Sequence, residues 1–406
     1  MSQRHNHLLR LQEVMDLLGV SRATIDRWRR DKQLPHIKIG KEILVDKHKL
    51  DTWIQQHSRA IPSPVSPLPP MPPRVEHSSS RTIVVGYQSG AALLWSPLII
   101  KQLGFFEEEL RAISPGIDYH VRWVNAPNGI ELVEDIIAGR VNIASIGDYP
   151  MIASIALSRI LPRFRPLMLA FDGKTRNGEG ISLVVPANSS AYRPEEFSAV
   201  KIATVGHSSA SYRLSEWEKG LGLEFNPVVH RTMGDCMNGI LDGSIGASML
   251  WEPYLSWAKA LGAGIPLQSE GVSSDYLTGL ISDNEWAHNN EDVVIAYLKA
   301  HLRAHEFIRQ EPDRASSLVQ AGSGFPISVI ASVLSRIRWD ASFYNKDLMT
   351  LNQLGESQMD LLQSHETHRG GFEFDKRFLQ EAVEALKLPI LPDSALPGEW
   401  SHEMLY

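Results

Sequence analysis

The sequence predicts an α/β body preceded by a small helical module that ends in a β-hairpin. Three observations predict it. Strand-like and helix-like runs alternate from residue 81 onward, which argues for α/β layers with mostly parallel sheets. Residues 58–80, SRAIPSPVSPLPPMPPRVEHSSS, hold seven prolines in 23 positions. Proline neither continues a helix nor donates to a sheet, so this stretch reads as a semi-rigid linker between 1–57 and 81–406. Finally, charge is unevenly spread. Residues 1–57 carry 11 Lys+Arg against 7 Asp+Glu, a balance of +4, and the remainder carries 29 against 40, a balance of −11. A basic segment on an acidic body points to an N-terminal module that binds nucleic acid.

Within the first module, LQEVMDLL places Leu11, Val14, Met15 and Leu18 at helical spacing, and Gly19 ends the run. Ser21 is placed to cap a second helix with Ile25 and Trp28 on its apolar face. That helix carries Arg22, Thr24, Arg27, Arg29 and Arg30. Two short helices around a glycine turn form the helix-turn-helix pattern. After Pro35, HIKI and ILV flank Gly40-Lys41-Glu42 and read as a hairpin wing, and KHKLDTWIQQ reads as a closing helix.

The string GVSRATIDRWRRDKQLPHIKIGKEILVDKHKLDTWI resembles the winged helix-turn-helix of the excisionase and MerR-like DNA-binding family. The resemblance implies that the second helix enters the major groove. Ser21, Arg22, Thr24, Arg27 and Arg30 are then the candidates for base edges and phosphates, with Lys38 and Lys41 of the wing on the adjacent backbone. So small a module reads one half-site, which implies a homodimer or higher oligomer on an operator.

The length of 406 residues suits two or three domains, and 43% hydrophobic with 21% charged residues excludes wholesale disorder. One cysteine, Cys236, excludes a disulfide scaffold. The first residues, MSQRHNHLLRLQEV, lack the apolar core of a secretory signal, and no uncharged apolar run is long enough to span a bilayer, so a cytoplasmic protein without membrane contact is expected.

In the body, strands are expected at 82–86, 119–124, 141–146, 181–185, 201–205, 227–229 and 247–250. Helical periodicity occupies 94–103, 105–112, 130–138 and 235–242 between them, then 291–309, 326–338, 347–363 and 375–387 after the strand signals fade. FDGKTRNGEG, 171–180, carries Lys174 and Arg176, which either neutralise an oxyanion or, as the favoured reading, belong to a solvated connection.

Five stretches, VVGYQSGAALLWSPLIIKQLGFFEEEL, VRWVNAPNGIELVEDIIAGRVNIASIGDYP, GISLVVPANS, KIATVGHSSASYRL and GSIGASMLWEPYLSWA, are similar to the periplasmic solute-binding proteins of the nitrate, taurine and aliphatic-sulfonate transporter group. That resemblance implies a two-lobed type II periplasmic-binding-protein-like domain, with lobe 1 at about 81–180 and 275–406, lobe 2 at about 181–274, and ligand in the cleft.

In open α/β sheets ligands sit beyond the carboxyl ends of strands, where helix N-termini favour anions. Three such ends carry small polar residues: Tyr87-Gln88-Ser89, Asp148-Tyr149, and His207-Ser208-Ser209. A serine run there either caps a helix or meets a ligand, and the resemblance favours the ligand. Trp251 and Glu252 match the family's cleft-lining segment, with Trp251 against an apolar part of the ligand and Glu252 against an amino group. The alternative for both is core packing and lobe closure. His207 and His230 lack metal-ligand spacing, so no metal site is expected; no Ser/His/Asp order or spaced pair of carboxylates marks a catalytic residue, and no cofactor is expected.

The sequence therefore predicts a one-component, ligand-responsive transcription regulator whose partners are operator DNA and a small polar or anionic effector such as a sulfonate, a taurine-like compound or nitrate. Two alternatives stand beside it. One is a DNA-binding enzyme of the sulfinate-desulfinase or pyrimidine-synthase type using Cys236 at a helix start. The other is a DNA-architectural accessory factor.

Overall fold

A computed structural model describes residues 8–18, 20, 22–31, 34–39, 42–47, 49–50, 79–113, 116–189, 193–267, 274–361, 373–390, 392, 394–404 and 406. The chain separates into two compact units, Met1–Glu76 and His77–Tyr406. The expected closing helix beyond residue 50 and nearly all of the proline-rich stretch lie outside the described residues, as do Gly19, Ser21 and Lys41.

The first unit runs β1 (Leu8–Arg10), α1 (Leu11–Leu18), α2 (Arg22–Asp31), β2 (Ile37–Ile39) and β3 (Glu42–Asp46). Its sheet has the order β1-β3-β2 and is antiparallel throughout, so the hairpin wing is joined by a short strand from the N-terminal side. Leu11, Val14, Ile25, Leu34, Val45 and Leu50 bury together, with Met15 and Trp28 packed against them. Each such aliphatic side chain contributes about 1.5–3 kcal/mol relative to exposure. This is what holds so small a unit together.

The second unit begins with β4 (Ser79–Tyr87), α3 (Ser96–Leu103), α4 (Phe105–Ile113), β5 (Ile117–Asn125), α5 (Gly129–Ile137), β6 (Ile143–Gly147), α6 (Asp148–Ile160) and β7 (Pro166–Thr175). The chain then builds β8 (Ile181–Pro186), β9 (Lys201–Val205), α7 (Ser209–Leu221), β10 (Asn226–His230), α8 (Met233–Leu241), β11 (Ala247–Trp251), α9 (Tyr254–Ala260) and β12 (Gly264–Leu267). It returns through β13 (Tyr276–Asp283), α10 (Asn284–His288), α11 (Glu291–Gln310), α12 (Pro312–Ser323), α13 (Ile327–Leu334), β14 (Arg338–Trp339), α14 (Asn345–Leu361), β15 (Glu373–Phe374) and α15 (Lys376–Ala385).

These strands form two sheets. One has the order β14-β7-β13-β6-β4-β5, with β15 beside β7, and the other the order β10-β9-β11-β8-β12. The chain crosses from one to the other after β7 and back before β13. Neither sheet is as parallel as the alternation suggested. β13 runs antiparallel between β6 and β7, and β8 runs antiparallel between β11 and β12. These are the strands next to the crossings, where the chain must reverse to pass between sheets.

The sequence reading of 171–180 as a solvated loop holds for 176–180, a turn exposed at Arg176, Asn177 and Glu179, and is corrected for 171–175. Residues 166–175 form a strand buried along its whole length. Lys174 is fully buried, donates to Asp347 and to the Ser342 carbonyl at 2.7 Å each, and lies 4.2 Å from the Phe171 ring centroid. Its ammonium is neutralised by α14 rather than by solvent. Strand β13, YLTGLISD, was also not anticipated and is almost entirely buried. No helix among the described residues is long and apolar enough to cross a membrane.

Candidate functional site

The carboxyl ends of β4, β6, β9 and β11 converge between the two sheets, and three helices start there. Asn128 caps α5 by accepting from the Glu131 N–H, α6 opens at Gly147, and Ser208 caps α7. These starts leave backbone N–H groups and positive dipole ends directed at one place. The space they surround is nearly closed, about 10 Å³ or room for a single water molecule, and its polar lining comes from Gln88, Ser208, Ser209, Trp251 and Tyr276. The walls are tight. A Cβ built on Gly147 would stand 2.8 Å from Ser209 Oγ and 3.2 Å from Tyr276 Oη, so only glycine lets the two lobes approach this closely.

Contacts across the cleft are specific. The Trp251 indole N–H donates to the Gly90 carbonyl at 2.8 Å, and the Ala92 N–H donates to the Glu252 carbonyl at 2.8 Å. The strongest link is a buried ion pair that the sequence analysis did not single out. Arg213 on α7 reaches Asp148 at the start of α6 through Nη2–Oδ2 at 2.8 Å and Nη1–Oδ1 at 3.4 Å. Its guanidinium also donates to the carbonyls of Ser209 and Asp275 and lies 4.9 Å from the Tyr276 ring centroid. Burial works against the guanidinium charge, but Asp148 more than offsets it and holds Arg213 above the ordinary arginine value. One signal could have found it: Arg213 stands four residues after Ser209, on the helix face that carries the strand-end serines.

The predicted ligand residues divide. Gln88, Ser208, Ser209 and Trp251 line the cavity. The Ser208 hydroxyl is spent: it donates to the Val205 carbonyl at 2.6 Å and accepts from the Ala210 and Ser211 N–H groups at 3.2 Å each. Ser209 accepts from the Tyr149 N–H at 3.4 Å and is hydrogen-bonded to Tyr276. Asp148 is fully buried and engaged with Arg213 and its neighbour's N–H. Tyr149 packs on Tyr212 beside the cavity.

Four candidates are turned elsewhere. Tyr87 faces Lys101 and Trp123. Ser89 is tied to Asn125 through its N–H and its hydroxyl. His207 is exposed and takes a left-handed turn, with φ of 51°. The expectation that Glu252 meets an amino group is corrected: its carboxylate accepts from the Ser256 N–H and hydroxyl and from Arg336, which braces α9 against the segment before β14.

In the first unit, Arg22 is 64% exposed and stands 3.4 Å from Asp26. Thr24, expected at a phosphate, is buried, because it precedes Ile25 on the helix edge that turns into the core. The side chains of Arg27, Arg30 and Lys38 lie outside the described residues. Cys236 is buried within α8. Burial and the adjacent Asp235 carboxylate push its thiol up to about 12, so it is not a thiolate at neutral pH.

Residues 8–58 match a family model described as a helix-turn-helix domain. The second unit is similar to binding proteins. A Bacillus subtilis strain 168 protein described as aliphatic sulfonates-binding is 26% identical over 263 residues, which cover 64% of this chain and 75% of that one. An Escherichia coli K12 protein with the same description is 23% identical over 260 residues, covering 63% and 76%. Among solved structures, the alkanesulfonate-binding protein of Xanthomonas axonopodis pv. citri bound to MOPS superposes with a TM-score of 0.56 at 18% identity, over 70% of this chain and 93% of that one. The nitrate-binding protein of Synechocystis PCC 6803 gives 0.56 at 14% identity, over 77% and 90%.

The body has the two-lobed periplasmic-binding-protein fold. One chain thus joins a helix-turn-helix domain to a fold used elsewhere for binding small solutes, and these relatives are binding proteins rather than enzymes.

Proposed function

We propose that this protein is a cytoplasmic, ligand-responsive transcription regulator. The helix-turn-helix unit binds operator DNA as a homodimer or higher oligomer, and the two-lobed unit senses a small anion of the sulfonate, taurine or nitrate type. The observation that carries the proposal is the covalent union of these two units in one chain. The charge of the cleft supports it further. Asp148 neutralises Arg213, so the positive character left at the cavity comes from the helix starts at Gly129, Asp148 and Ser209. Such a field suits one monovalent anionic head group held by N–H and hydroxyl donors. Ser209, Gln88 and Tyr276 are the side chains we assign to it, with Trp251 against the apolar remainder. The ligand acts on DNA binding only through different affinities for two states of the lobes.

The test uses the full chain. Thermal unfolding is followed with taurine, ethanesulfonate, nitrate and sulfate, and fluorescence anisotropy with DNA from upstream of its own gene is measured with and without each. One of these anions is expected to raise the melting temperature with concentration and to change DNA affinity. Arg22→Ala is expected to weaken DNA binding and to lower the slope of log affinity against log salt by about one. Specific DNA binding that no stabilising anion alters sinks the regulator reading.

A further inference from the structure

A second polar cluster lies away from the cleft, in the core of the first sheet. Asp172 on β7 and His301 and His305 on α11 are each fully buried, and their ligand-capable atoms lie within 4.8 Å of one another. Asp172 Oδ1 accepts from His305 Nε2 at 3.0 Å, and Oδ2 accepts from the hydroxyls of Ser96 at 2.8 Å and Ser145 at 2.7 Å. His301 Nε2 donates to the Phe171 carbonyl at 2.9 Å, which leaves the lone pair of that neutral ring on Nδ1, 3.2 Å from Ser96 Oγ.

The cluster is short of positive charge. Among the described residues, Asp172 has no lysine or arginine at ion-pair distance; its neighbour of that kind is His305. Lys174, two residues on, is taken by Asp347. The Ser96 hydroxyl has one proton for two acceptors, Asp172 and His301. His305 Nδ1 is buried without a hydrogen-bond partner. A fully buried carboxylate without a counter-charge is costly, and so are unmet lone pairs.

We propose that Asp172, His301 Nδ1 and His305 Nε2, with the Ser96 hydroxyl as fourth donor, form a buried structural site for a divalent cation of the zinc class. Bonds of about 2.0–2.1 Å in a tetrahedron give edges of about 3.4 Å, so the hydrogen-bonded neighbours at 2.8–3.2 Å would open slightly around an ion. Two imidazoles, a carboxylate and a hydroxyl suit zinc or its first-row neighbours rather than magnesium or calcium. HLRAH spaces the two histidines by four residues, one helical turn, and so places both on one face. The outer contacts are those of metal-bound histidines. His301 already donates its remote N–H to a carbonyl, and the main chain of Tyr406 faces His305. When the ion binds Nε2 of His305, the ring proton moves to Nδ1, and the orphaned nitrogen becomes a donor towards Tyr406. With four protein donors and no solvent exposure, the site holds a fold together and has no position for a substrate.

Because the site is enclosed, the ion enters during folding. The full chain is unfolded with a chelator and refolded with Zn2+ or Co2+. It is then desalted and assayed for metal per chain, for the visible absorption of tetrahedral Co2+, and for its unfolding midpoint. About one retained equivalent, the Co2+ band and a raised midpoint are expected, and Asp172→Asn and His305→Leu should each abolish the band. Asp172→Asn keeps the side chain's shape, so it carries the test if His305→Leu does not fold. Wild-type protein that refolds to the same midpoint with less than about a tenth of an equivalent and no band overturns the proposal, since a proton on Asp172 then supplies the charge. A retained equivalent whose band survives Asp172→Asn also overturns it, by placing the metal on other histidines.

Discussion

Replacing Arg213 by methionine keeps most of the side chain's volume and removes its charge. Asp148 is then fully buried with one remaining donor identified among its contacts, the Tyr149 N–H at 2.7 Å. Stripping one partner from a buried ion pair costs about 3–5 kcal/mol, because the other charge is left without compensation. The second unit has roughly 330 residues, and unfolding entropy of about 2.1 cal/mol/K per residue gives a total near 0.7 kcal/mol/K. The Arg213→Met cost therefore corresponds to a melting-temperature drop of about 4–7 °C. Asp148→Asn falls at the lower end, because the guanidinium keeps the Ser209 and Asp275 carbonyls and the Tyr276 ring. The double variant should recover much of the loss, since neither charge is then stranded. The assay is urea unfolding of all four proteins by tryptophan fluorescence, read as a double-mutant cycle. A loss below about 1 kcal/mol for Arg213→Met, or strictly additive losses in the double variant, would refute the assignment of this pair as the principal electrostatic link between the lobes.

Two further outcomes follow from the same contacts. Gly147→Ala inserts a methyl group 2.8 Å from Ser209 Oγ and 3.2 Å from Tyr276 Oη. It should weaken binding of the effector anion at least tenfold in calorimetry while leaving helical content unchanged; unaltered affinity would show that closure at this point is not needed. Cys236 has its thiol raised from 9.0 to about 12 by burial and Asp235, so the unfolded chain loses that proton first. Its contribution to stability is complete below pH 9 and is lost as pH rises from about 9 towards 12, by up to about 1.4 kcal/mol per unit. Denaturation at pH 8.5 and 10.5 should show a loss that Cys236→Ala removes. Rapid reaction of the native thiol with a disulfide reagent at pH 8 would contradict its burial.

Much of the architecture was legible because it depends on neighbours in the chain. Leu11, Val14 and Ile25 repeat at helical spacing and form the core of the first unit. Ser208 caps its helix within three residues of itself, and the strand ends carrying Gln88, Ser208, Ser209 and Trp251 meet at the cavity as their positions after strands implied. Polar residues inside strands broke the reading. FDGKT, at the start of 171–180, reads as a loop because of Asp172, Gly173 and Lys174. It is nonetheless a buried strand, because His305 and Asp347 arrive from 133 and 173 positions away. The same reasoning displaced Glu252, whose partner Arg336 lies 84 positions on, and hid Arg213, whose partner Asp148 lies 65 positions back.

By itself, then, the sequence determined two units, most of their helices and strands, and the small polar turns that open onto the cleft, since periodicity and capping are free energies of adjacent residues. Only the tertiary structure decided which buried charges are neutralised, which serines are consumed as caps, and where two histidines meet an aspartate. Those answers depend on distances between residues far apart in the chain, and in a low-dielectric core a charge is tolerable only where such a partner arrives.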